Sequence, residues 1–95
     1  MEPDELLDEL QRVAEKLAVR IRYEHTGGRV GRCLLHGELI VWMDRQLSLR
    51  DRIEGLAQTL ADLDYEALYM PELVRNLLLS RRQPGSQLPL PLTPR

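Results

Sequence analysis

One cysteine, two histidines and no long apolar run set the first limits on this 95-residue chain. Cys33 has no second cysteine with which to close an intramolecular disulfide, and neither histidine has the spaced cysteine or acidic partner of a metal site. The expectation is no metal and no cofactor, with Cys33 a buried strand residue. No stretch approaches the roughly 18 apolar residues that suggest a membrane span. The start, Met1-Glu2-Pro3-Asp4-Glu5, is acidic where a secretory leader is basic, and a cytoplasmic location is expected. Also missing is an excess of basic charge: 13 bases stand against 15 acids. Direct nucleic-acid binding needs a clearly basic face, so that class is excluded. Residues 1–18 hold six acids and two bases, and residues 19–95 nine and eleven.

What is present suits a single domain with one modest core. Leu6, Leu10, Val13 and Leu17 recur at three and four, with Leu7 and Ala14 widening the stripe, which predicts a helix from about Pro3 to Ala18. Pro3 suits a first turn, and Asp4, Glu5, Asp8 and Glu9 suit the positive end of the helix dipole. The period then drops to two: Val19, Ile21 and Tyr23 alternate with Arg20, Arg22 and Glu24, as in a strand with one dry face. Gly27-Gly28 ends it. Residues 29–36 and 39–43 read as second and third strands joined in a hairpin through His36-Gly37-Glu38. The third strand is apolar on both sides, with Leu39, Val41 and Met43 on one face and Ile40 and Trp42 on the other.

Ser48 with Asp51 three residues on forms a box-like start for a second helix reaching Leu63, along which Leu49, Ile53, Leu56, Ala57, Leu60 and Leu63 make a broad apolar stripe. Residues 65–70 read as a turn or short helical piece. Pro71 opens a third helix through Leu79 or Ser80. The expected fold is α+β in the order α-β-β-β-α-α: a three-stranded antiparallel sheet, helices one and two on one face and helix three at an edge. Residues 1–82 make this domain. Residues 83–95 form a Pro/Leu-rich tail that alternation of proline with leucine bars from helix or central strand, leaving an extended form.

Several side chains invite functional readings. Leu34, Ile40 and Trp42 are expected on the face left open by the helices, where a second copy in a homodimer, the tail or a protein partner would cover them. Tyr65, Tyr69 and Arg75 form either a patch at the start of helix three or a core edge with wet tyrosine hydroxyls. Arg20, Arg22, Arg29 and Arg32 are expected on the polar side of strands one and two, facing water or an acidic partner. His25 and His36 read as solvated turn residues, and Asp62, Asp64 and Glu66 as a solvated helix end.

The run Gly37-Glu38-Leu39-Ile40-Val41, then Leu47-Ser48, then Leu56-Ala57, resembles the core of the ImmA/IrrE type of small zinc peptidase. The resemblance covers about Gly31 to Asp62 and implies a metal-binding helix. A zinc peptidase needs two histidines four apart on that helix and a glutamate beside the first. Gln58, Thr59 and Asp62 stand in those places, so what it implies is a remnant without metal, not an enzyme. Gly27-Gly28, Asp44, Tyr69-Met70-Pro71 and Arg75 are similar to a group of small bacterial proteins that supplies a fold and no activity. In the tail, Gln87-Leu88-Pro89-Leu90-Pro91-Leu92 resembles the hexapeptide by which bacterial replication and repair proteins dock on the sliding clamp. That resemblance implies Gln87, Leu88, Leu90 and Leu92 as anchors. With catalytic clusters absent, the expected function is a protein–protein interaction module, an adaptor or regulator, with clamp docking as the alternative.

Overall fold

The computed structural model describes residues 1–25 and 27–82. Six elements follow in order: α1 (Pro3–Lys16), β1 (Arg20–Glu24), β2 (Val30–Leu35), β3 (Glu38–Asp44), α2 (Leu49–Ala61) and α3 (Glu72–Arg81). This is the expected α+β class and order.

Local chemistry places the element ends. The Glu2 amide donates to Glu5 Oε1 at 2.9 Å, securing the start of α1. At its other end Ala18 adopts φ 62°, its amide donating to Glu15 O at 3.0 Å while that of Val19 reaches Ala14 O at 2.8 Å. This left-handed closure ends the helix two residues before the apolar stripe suggests. Ser48 Oγ accepts from the Asp51 amide at 3.1 Å and caps α2 as expected. His36 and Gly37, with φ 54° and 80°, are the two positive-φ centres of a tight turn between Leu35 and Glu38.

The sheet is mixed, which corrects the antiparallel expectation. Its order is β1-β3-β2, with β1 parallel and β2 antiparallel to β3. The connection from β1 to β2 spans the end of β3, and β3 returns from the hairpin between its predecessors. Asp44 holds this crossing: nearly buried at the end of β3, its Oδ2 accepts from the Gly28 amide at 2.6 Å and its Oδ1 from the Gln46 amide at 2.9 Å. A two-sided apolar β3 is what a central strand requires.

Residues paired across a sheet share a face. The register therefore puts Ile21 and Tyr23, Val30, Arg32 and Leu34, and Leu39, Val41 and Met43 on the side that α1 and α2 cover. Leu7, Leu10, Val13 and Ala14 of α1 meet Leu56, Ala57 and Leu60 of α2 above Val41 and Met43. The third helix does not pack at the sheet edge. It lies on α2 and, less extensively, on α1, burying Val74 and Leu78, because the loop after α2 folds its own Tyr65 and Met70 into the core.

Candidate functional site

In α2, the places a metal helix would give to its ligands face a cleft of about 380 Å³ between that helix and β2. Gly55, Gln58, Thr59 and Asp62, at helical spacings of three and four, form one wall, and Val30, Gly31 and Arg32 the other. Two of the polar side chains are bonded to their own helix. Thr59 Oγ1 donates to Gly55 O at 3.0 Å, and Gln58 Nε2 donates to Glu54 Oε2 at 3.0 Å. The cleft is narrow at Gly55 because the helix nearly touches the strand there: a Cβ on residue 55 would stand 2.6 Å from Val30 Cγ2. His25 follows β1 and His36 occupies the hairpin turn, at opposite ends of the sheet. Both are exposed. Among the described residues no group of three or more His, Cys, Asp or Glu side chains is placed to hold a metal ion.

The opposite sheet face bears Arg20, Arg22 and Glu24 of β1, Glu38, Ile40 and Trp42 of β3, and Gly31, Cys33 and Leu35 of β2. Among the described residues no helix packs against it. Trp42 is half-buried beside Gly31, whose Cβ, if present, would lie 3.7 Å from Trp42 Cε3. Ile40 is only 4% exposed, enclosed between Arg20 and Cys33 in the register rather than open as expected. Cys33 is half-buried, not buried. Leu34 belongs to the other face, since it pairs with Leu39; Leu35, 49% exposed, takes the place assigned to it. Alternation within a strand makes a one-residue error a change of face.

Nor do the four arginines gather. Arg20 and Arg22 lie on β1, across β3 from Arg32, which is on the helical side of β2, and Arg29 precedes β2. On the open face Arg20 Nη2 meets Glu38 Oε2 at 3.3 Å and Arg22 Nε meets Glu24 Oε2 at 3.3 Å. The face carries its charges in opposite-sign pairs.

The Tyr65, Tyr69 and Arg75 group splits. Tyr65 is 1% exposed and Tyr69 86%. The ring of Tyr65 lies against two guanidinium groups, that of Arg82 at 4.8 Å and that of Arg75 at 5.9 Å. Its hydroxyl is buried without a hydrogen-bond partner rather than wet. Burial pushes its pKa up, against the pull of Arg82 and Arg75. Arg75 donates to Leu68 O, while Arg82 Nε and Nη2 donate at 2.7 Å each to Ala61 O and Leu63 O. Arg75 thus ties α3 to the loop before it, and Arg82 ties the end of α3 to the last carbonyl of α2 and to one just beyond that helix. Arg81 grips Glu54 through both oxygens, with Nη2 to Oε1 at 2.9 Å, and holds that carboxyl below its ordinary pKa. Neither Arg81 nor Arg82 stood out in the sequence, where nothing local relates them to α2, about 20 residues or more away.

Gln87, Leu88, Leu90 and Leu92 lie outside the described residues. None of the described helices is long and apolar enough to cross a membrane. Neither the chain nor its fold has a match among protein-family models, curated proteins or solved structures.

Proposed function

We propose that the chain is a noncatalytic interaction module, an adaptor or regulator, whose open sheet face takes a second copy of itself. The observation that carries this reading is Trp42, half-buried at the middle of a face on which no described helix packs. Aromatic side chains of this kind dominate interface energetics because they bury large area at little entropic cost. A second copy is the favoured occupant because Arg20–Glu38 and Arg22–Glu24 neutralise each other within one face. Two such faces meet in a twofold dimer without the like-charge cost that a purely basic or acidic face would bring. A cytoplasmic setting belongs to the same proposal.

Light scattering of the full chain and of Trp42→Glu across a dilution series tests it. The unmodified chain is expected to have a dimer's mass and a Trp42 emission that shifts to the red on dilution, and the folded variant to be a monomer. A monomer at all concentrations, with Trp42 emission unchanged throughout, sinks the reading. A second reading rests on Gln87, Leu88, Leu90 and Leu92 as sliding-clamp anchors. It is supported by their spacing.

A further inference from the structure

The outer edge of β2 is open in the three-stranded order. In a two-residue hairpin the residues flanking the turn, here Leu35 and Glu38, form a hydrogen-bonded pair, and the pairs alternate from there. Gly31, Cys33 and Leu35 thus spend their backbone groups on β3, while the amides and carbonyls of Val30, Arg32 and Leu34 point away from the sheet. The side chains of those same three residues face the helical layer, over the cleft that Gly55, Thr59 and Asp62 wall. Among the described residues nothing pairs with this edge or fills the cleft beside it, and such an edge is a template for one more strand.

We propose that the occupant is this chain's own segment Leu88–Leu92, added antiparallel to β2. Four observations converge on it. The first is the exit. Arg82 is fastened to Ala61 O and Leu63 O, on either side of Asp62, which lines the cleft. The second is direction. Gly55 touches Val30 at the start of β2, and α2 runs on from there to Asp62, which shares the cleft with Arg32, so a strand added antiparallel to β2 would start beyond Arg32 and run back towards Val30. The third is length. Residues 83–87 reach about 15 Å when extended, enough for the roughly 10 Å between packed layers, and the strand needs only a further ~17 Å.

The fourth is the pattern of proline. In an edge strand alternate amides face the sheet and the rest face water, and proline is tolerated only at the latter. Leu88, Leu90 and Leu92 keep an amide where Pro89 and Pro91 have none. With the leucine amides turned to β2 all three donors are spent on the carbonyls of Val30, Arg32 and Leu34. In the opposite register two of the donors are missing. Hydrogen-bonded antiparallel partners share a face, so the three leucine side chains then fall on the helical side, over the cleft. The prolines close the new edge, since they offer no donor to a further strand.

A second copy fits this edge less well. Twofold pairing of β2 with itself about its outward-facing centre sets Arg32 directly opposite Arg32, a like-charge pair. The edge is also separate from the Trp42 face, so the proposal stands apart from the dimer reading. A tail placed here is not free to enter another protein's groove, and the two uses of these leucines exclude each other.

Residue-resolved amide exchange of the full chain at dilution tests the proposal, with Leu90→Pro and Pro89→Ala as variants. The outward amides of Arg32 and Leu34 are expected to be protected in the unmodified chain and in Pro89→Ala, and to exchange at least ~10-fold faster in Leu90→Pro. The inward amides of Gly31 and Cys33 stay protected in all three, which shows that the domain is folded. Arg32 and Leu34 amides already unprotected in the unmodified chain, or unaffected by Leu90→Pro, overturn the proposal. Protection that is lost on dilution together with a dimer's mass overturns it in favour of a second copy.

Discussion

Replacing Gly55 by alanine sets helix propensity against packing. Gly55 lies in the middle of α2, where alanine is favoured by about 1 kcal/mol. Against this, the added Cβ stands 2.6 Å from Val30 Cγ2 and 3.3 Å from both Cβ and Cγ1 of the same residue, when carbon atoms prefer about 3.5–4.0 Å. Rotating the valine moves Cγ2 but leaves its Cβ too close, so helix and strand must separate. Overpacking of this kind costs about 1–3 kcal/mol. The net expectation is a loss of about 1 kcal/mol, or a fall in Tm of about 4–8 °C for a domain of this size. Urea or thermal unfolding followed by circular dichroism reads it. In a Val30→Gly background the clash is gone, and the same Gly55→Ala change becomes stabilising by about 1 kcal/mol, which implies a coupling of about 2 kcal/mol. A Gly55→Ala protein that melts higher in the unmodified background refutes the close approach of α2 to β2, and with it the shape of the cleft.

Three further outcomes follow from the same structure. Tyr65→Phe keeps the ring between Arg75 and Arg82 and removes a buried hydroxyl that has no partner; a gain of about 1 kcal/mol in urea unfolding is expected, and a loss contradicts the environment described. Ala18→Gly relieves a left-handed alanine, worth about 1–2 kcal/mol, against about 0.4–1 kcal/mol of added unfolded-state entropy, so the variant should melt a few degrees higher. Glu54 has its pKa lowered from about 4.5 by its hydrogen bonds to Arg81. Its contribution is therefore full above that value and fades as the pH falls through the lower folded value. Glu54→Gln should lower stability at pH 7 and by progressively less as the pH is taken down below 4.5, and a deficit that does not shrink as the pH falls contradicts the assignment.

How far the sequence carried this account depends on how local each feature is. Ser48 and Asp51 announce α2 because a cap and its donor lie three residues apart, and the period of Leu6, Leu10 and Val13 announces α1 because the pattern repeats each turn. His36-Gly37 marks the hairpin through backbone angles of two adjacent residues. Strand order is different in kind. β1 has the same alternation whether its neighbour is β2 or β3, and only the crossing held by Asp44 and Gly28 decides between them. Leu34 falls on the helical face, not the open one, because one residue of register reverses a strand's two sides, and the turn sets that register. The chain by itself determined the elements and their order. The tertiary structure alone decided which strand is central, which apolar side chains remain open, and that Arg81 and Arg82 serve α2, because each rests on contacts between residues distant in sequence that leave no periodic trace along it.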